Sequence, residues 1–187
     1  RDLPEGALLV LDEAYADLAP EGTAPPLDPS DPRVIRMRTF SKGYGLAGLR
    51  VGYAIGHPDL VRAFDKVRNH FGLGRIAQAG ALAALADQGW LAEVRGKVAA
   101  ARDTIAGIAA ANSLAALPSA TNFVTVDCGQ DGPFALRVLQ GLGARGVFVR
   151  KPMVAPQDRC IRISCGTPEA LDTLARALPD ALASARA

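Results

Sequence analysis

Cysteine and histidine are both scarce in this 187-residue chain, and each shortage removes a class of chemistry. The three cysteines, Cys128, Cys160 and Cys165, are an odd number and include no C-x-x-C pair. Neither a disulfide framework nor a zinc site is indicated, and small buried apolar residues are the expected reading. His57 and His70 stand in unrelated contexts, make a poor metal set and read as structural. Strong charge of one sign is missing too. The formal charge of +2 is spread along the chain, which gives no support to nucleic-acid or anionic-membrane binding. Apolar runs are broken by charges or glycines well short of a membrane span. The opening RDLPEGALLVLDEAY lacks the basic, apolar, small-residue order of a signal peptide. The expectation is a cytoplasmic protein with no metal, no nucleic acid and no membrane partner.

What is present is a globular balance, 49% hydrophobic and 21% charged, in a chain long enough for one large domain or two small ones. Residues 7–11 (ALLVL) form a continuous apolar run ending at Asp12, as expected of a strand buried on both faces. Residues 34–40 and 50–55 read as further strands, separated by a glycine-rich turn. Pro58 opens a helix with Leu60, Val61, Phe64 and Val67 on its apolar face. Helices are expected at 76–87, 90–111, 133–142 and 168–182, and strands at 122–126, 147–150 and 161–164. Alternating strands and helices imply α/β layers. The change of character near the long helix at about 90–111 suggests two domains, 1–95 and 96–187.

The stretch TFSKGYGLAGLR, residues 39–50, carries the chemistry. Gly43, Gly45 and Gly48 spell G-x-G-x-x-G, but a dinucleotide site needs a helix after the glycines, and RVGYAI reads as a strand. A phosphate-binding P-loop fails as well, because Lys42 precedes the glycines. A lysine at a strand end beside glycines can be desolvated and act as an amine nucleophile, forming a Schiff base. Thr39 and Ser41 offer hydroxyls, and Arg50 a planar fork of donors suited to phosphate. Asp12 and Tyr15 lie at the carboxyl end of the first strand, where ligands of open α/β sheets gather.

The motifs LDEAY (residues 11–15) and TFSKGYGLAGLRVGY (residues 39–53) resemble the class I/II, fold type I, pyridoxal-phosphate-dependent aminotransferases, and most of all their histidinol-phosphate branch. The resemblance implies a three-layer α/β/α large domain, present as its C-terminal part, followed by a smaller α+β domain. It implies that Lys42 bonds pyridoxal 5'-phosphate as an imine and shuttles the proton, with Asp12 at the pyridine nitrogen and Tyr15 at the ring oxygen. Thr39, Ser41 and Arg50 would hold the cofactor phosphate. GVFVR and CIRISCGT resemble that branch's substrate arginines, so Arg150 and Arg162 would grip the phosphate or carboxylate of an amino donor or 2-oxo acid. SATNF, residues 119–123, resembles the family's entry into its small domain.

The likeness runs along the whole chain but covers only the second half of such enzymes. A fragment is therefore expected, lacking the half that supplies a helix N-terminus for the phosphate and an aromatic stacked on the ring. The family also implies a homodimer. Histidinol phosphate and 2-oxoglutarate are the expected substrates. Aromatic or broad-range aminotransferases and threonine-phosphate decarboxylases share every motif, and an inactive truncated α/β module is the non-enzyme alternative.

Overall fold

The computed structural model describes residues 3–187. Its contacts divide the chain into two compact units, Arg1–Arg95 and Gly96–Ala187.

The N-terminal unit is built on a three-stranded sheet in the order β1 (Leu9–Asp12), β2 (Val34–Thr39), β3 (Gly52–Gly56). β1 and β2 are parallel, with Asp12 beside Met37; β3 returns antiparallel, with Gly52 beside Thr39. The side-chain period of two puts Asp12, Met37 and Thr39 on one face, and Arg36, Arg38 and Tyr53 on the other. β1 is not buried on both faces as its apolar run suggests. Leu8 and Val10 are each 59% exposed, although Ile35, beside Val10 on the same face, is buried.

Phe40, Tyr44, Val51, Ala77, Ala81 and Leu91 make this unit's core, with the Phe40 ring 5.0 Å from that of Tyr44. Tyr44 thus has a packing role. α1 (Pro58–Ala63) begins at Pro58, and His57 caps it by accepting from the Asp59 amide at 3.3 Å. It ends earlier than its pattern suggests, passing into a 3-10 turn at Phe64–Lys66. Its expected apolar face is open: Val67 is 82% exposed. α2 spans Arg75–Ala86, and α3 (Gln88–Ala111) crosses the division between the units.

The C-terminal unit has an antiparallel sheet of β4 (Ala115–Ala116), β5 (Phe123–Asp127) and β6 (Cys160–Ser164). Val124, Val126, Ile161 and Ile163 point into one apolar cluster, while Phe123, Thr125 and Arg162 occupy the opposite face. α4 (Gly132–Gly143) is capped by Asp131, whose carboxylate accepts from the Phe134 amide at 2.9 Å, and Pro133 sits in its first turn. α5 (Pro168–Arg186) is capped by the Thr167 hydroxyl and buries Leu171, Leu174, Leu178 and Leu182, a stripe at helical spacing.

Residues 147–150 do not form the expected strand. The Val147 amide is spent on Leu142 O at the end of α4 (3.0 Å), and Pro152 has no amide to give. Only Arg150 pairs with β6, as an isolated bridge to Arg162. Cys128 and Cys160 are buried and Cys165 half-buried, all as free thiols. Among the described residues no cluster suited to a metal occurs, and no helix is long and apolar enough to cross a membrane.

Candidate functional site

Because β1 and β2 run parallel and β3 antiparallel, the carboxyl ends of the first two and the start of the third share one sheet edge. Asp12 closes β1 there, and its Oδ1 accepts from the Ala14 amide at 3.0 Å, a turn that fixes the carboxylate and leads to Tyr15. Beyond β2 the chain folds tightly around Lys42. Gly45 N donates to Lys42 O at 3.0 Å and Leu46 N to Phe40 O at 2.9 Å. Gly45 adopts φ 71°, a region that glycine enters without cost. A Cβ on Gly43 would lie 3.0 Å from Asp17 Cβ and 3.1 Å from Leu91 Cδ1, so the turn rests directly on its neighbours.

The half-buried Lys42 reaches over Tyr15, with Nζ 5.3 Å from the ring centroid. Thr39 Oγ1 accepts from the Ser41 amide (3.0 Å) and donates to Val51 O (3.3 Å), tying the start of the turn to the approach to β3. Arg50 is exposed and left-handed at φ 53°, with Nη1 donating to Ala47 O at 2.8 Å. A non-glycine residue held there stores about 1–2 kcal/mol of strain, a feature that concentrates at functional sites. The glycines pass through a 3-10 turn (Ala47–Leu49) into β3 and open no α-helix, which removes the dinucleotide geometry.

The opposite face of the same edge holds a charged cluster that motif reading overlooked. Glu13, 8% exposed, takes Arg36 Nε on Oε1 at 2.7 Å and Arg38 Nε on Oε2 at 3.0 Å. Arg36, 3% exposed, also donates to Pro25 O and Pro26 O, each at 2.9 Å. Burial works to raise the Glu13 pKa, but Arg36 and then Arg38 outweigh it and hold the carboxyl below its ordinary range. Asp17 lies beneath Gly43, and burial pushes its carboxyl up against the pull of Arg38 and Arg95. Part of the signal lay in the sequence, since two arginines at i and i+2 of a strand share a face and, in a buried sheet, require an anion; which anion emerges only from the register.

In the C-terminal unit, the Arg150 amide donates to Arg162 O at 3.0 Å and the Arg162 amide to Arg150 O at 2.6 Å. Directly opposed residues share a face, so both arginines belong to the side away from the core. Arg162 lies over the Phe123 ring, its guanidinium carbon 4.3 Å from the centroid. Phe123 was another omission, visible only once the register placed it on the arginine face. The structure thus gathers Lys42 with Tyr15, Asp12 and the 39–50 turn at one edge, and Arg150 with Arg162 across one strand pair.

Comparison with known proteins gives a consistent set. The family model described as aminotransferase class I and II matches residues 3–178. A histidinol-phosphate aminotransferase of Gluconacetobacter diazotrophicus is 40% identical over 178 residues, which are 94% of this chain and 48% of that protein. One from Geotalea uraniireducens is 39% identical over 91% of this chain and 48% of its own length. The crystal structure of histidinol-phosphate aminotransferase from Sinorhizobium meliloti in complex with pyridoxal-5'-phosphate superposes with a TM-score of 0.94 at 54% identity. It matches 97% of this chain and 50% of its own. The chain spans about half the length of the curated relatives it matches.

Proposed function

The chain belongs to the class I and II aminotransferase family, and on that footing we propose that it carries the lysine-bearing part of a pyridoxal-phosphate-dependent histidinol-phosphate aminotransferase. The reaction is the exchange of an amino group between histidinol phosphate and 2-oxoglutarate, giving imidazole-acetol phosphate and glutamate. The observation that carries this is the edge where Lys42 Nζ stands 5.3 Å from the Tyr15 ring, beside the strand that ends in Asp12.

The donor set suits the cofactor: an amine, a carboxylate, a phenol and a guanidinium, brought to one edge by three neighbouring strands. Bound there, pyridoxal phosphate supplies an electron sink for a carbanion at the substrate α-carbon. Lys42 Nζ would hold the cofactor through its aldehyde carbon, with loss of water, and would carry the proton to and from the α-carbon. Asp12 would accept a hydrogen bond from the ring nitrogen and keep its proton in place. Tyr15 bonds the ring oxygen. Arg50, Ser41 and Thr39 hold the phosphate. Thr39 has one proton to give and directs it to Val51 O at 3.3 Å, so donating to phosphate requires the hydroxyl to turn from that carbonyl.

In the C-terminal unit, Arg150 and Arg162 bind an anionic group of the substrate. Two opposed guanidinium groups repel, and a phosphate or carboxylate between them relieves that repulsion. The branch is supported by two histidinol-phosphate aminotransferases at about 40% identity and a solved one at 54%. We further infer a homodimer, supported by the open apolar side chains Val67, Phe71 and Ile76, and a cytoplasmic location, in keeping with the biosynthetic relatives.

The test is borohydride reduction of the chain after incubation with pyridoxal phosphate, followed by peptide mapping. An adduct on Lys42, absent in Lys42→Ala, is expected. Absence of that adduct both from this chain and from a chain supplied with the N-terminal half its relatives carry defeats the reading. Turnover with histidinol phosphate, compared with aromatic amino acids and threonine phosphate, decides the substrate.

A further inference from the structure

Asp12 and Glu13 are neighbours in sequence, but they serve opposite faces of the sheet. The Glu13 amide continues the β1–β2 ladder by donating to Met37 O at 2.9 Å. Asp12 therefore lies on the face of Thr39, and Glu13 on the face of Arg36 and Arg38. Each Glu13 oxygen is committed to a different arginine: Oε1 to Arg36 at 2.7 Å and Oε2 to Arg38 at 3.0 Å. Arg38 stands directly opposite Tyr53 on β3, the neighbour of Gly52, which pairs with Thr39. Arg36 continues to Pro25 O and Pro26 O, fastening the loop between β1 and β2.

We propose that Glu13 is a positioning residue: by clasping Arg36 and Arg38 it fixes the end of β1 against β2, and so sets Asp12 relative to the Lys42 turn. The arrangement is specific to geometry. Stability alone would be served as well by apolar side chains of similar volume, since burying three charges costs much of what their attraction returns. Arginine forks, by contrast, fix direction as well as distance. The clasp sits one residue from each element it would align, Asp12 on β1 and Thr39 on β2. This inference rests on the pyridoxal-phosphate reading above.

Glu13→Gln tests it, because an amide can satisfy one arginine but presents its own donors to the other. The probes are pyridoxal phosphate affinity, the trapped fraction on Lys42, and the pH midpoint of the bound chromophore. Glu13→Gln is expected to weaken pyridoxal phosphate roughly tenfold to a hundredfold, the scale of an ångström misplacement. It should also shift the midpoint, because Asp12 governs the ring-nitrogen proton. Glu13→Gln/Arg38→Gln restores a matched donor and acceptor and should recover most of both. Trp90 fluorescence, from the single tryptophan, follows folding of this unit in each variant. An adduct on wild type with an unshifted midpoint in Glu13→Gln, or binding lost only in step with unfolding, overturns the positioning role alone. No adduct on wild type, either alone or supplied with the N-terminal half its relatives carry, overturns the cofactor reading and this inference with it.

Discussion

The two units hold themselves together by different means. The C-terminal unit buries twenty residues in one apolar cluster, eighteen of them from α3, β5, α4, β6 and α5, with Leu114 and Cys128 from the adjoining turns. The N-terminal unit gathers only six of its described residues into such a cluster, leaves Phe71 95% and Ile76 81% exposed, and fastens its strand ends with buried charge. One unit owes its stability to close packing, which tolerates no cavity. The other spends directional bonds on placing a few side chains. Its apolar surface remains open, and its proposed cofactor residues line the edge of a sheet that is only partly covered. A core that packs well and an edge that presents chemistry make different demands on sequence, and here they are met in separate stretches of chain.

The comparison is broken most directly by cutting into each unit's apolar content. Phe134 is 1% exposed at the centre of the larger cluster, and Phe134→Ala should cost about 3–5 kcal/mol. Phe71 sits at the surface of the smaller unit, and Phe71→Ser should change stability by no more than about 0.5 kcal/mol. Native-state hydrogen exchange, read separately on each unit, measures both. Comparable losses would mean that the difference in packing carries no energetic weight.

A second contrast lies in the alkaline range. All three cysteines belong to the C-terminal unit, and burial pushes the Cys128 thiol from 9.0 up to about 11. The unfolded thiol releases its proton near 9.0, while the folded one keeps it until about 11. The stability linked to this proton is fully present below 9.0 and is lost as pH rises toward about 11. The loss amounts to about 3 kcal/mol, at roughly 1.4 kcal/mol for each pH unit. Exchange protection of β5 and β6 should fall over that interval, and Cys128→Ala should flatten the fall. The N-terminal unit has no thiol and should lack this dependence.

How much could be read in advance also differs between the units. Helices of the C-terminal unit announce themselves through caps and stripes, Asp131 with Pro133 for α4 and Thr167 with Pro168 for α5. Residues 147–150 misled, because apolar alternation says nothing about a backbone amide already spent on Leu142 O. In the N-terminal unit the Lys42 turn and Asp12 were legible from motif and spacing. The exposure of Val10 was not, because a run of apolar residues cannot reveal whether anything packs on it. Glu13 was hidden by its position beside a more suggestive carboxylate, and its role appears only when register places Arg36 and Arg38 on its face.

The finest test of the separation concerns Phe123, whose ring lies 4.3 Å from the Arg162 guanidinium carbon. A stacked guanidinium keeps its edge donors free while its face is held, which suits planar recognition of an anion. Removing the ring should forfeit about 0.5–1 kcal/mol of cation–π attraction and release the arginine to wander. Phe123→Leu keeps an apolar side chain and removes the π face, whereas Phe123→Tyr keeps both. The expected outcome is a two- to fivefold weaker affinity for inorganic phosphate in Phe123→Leu, at about 1.4 kcal/mol per factor of ten, and little change in Phe123→Tyr. Pyridoxal phosphate trapping on Lys42 should be the same in both variants, since that residue belongs to the other unit. Calorimetric titration supplies the first number and peptide mapping the second. A Phe123→Leu chain that binds phosphate as wild type does would remove Phe123 from the anion site. One that loses its Lys42 adduct would show instead that the two units share their chemistry more closely than their separate cores suggest.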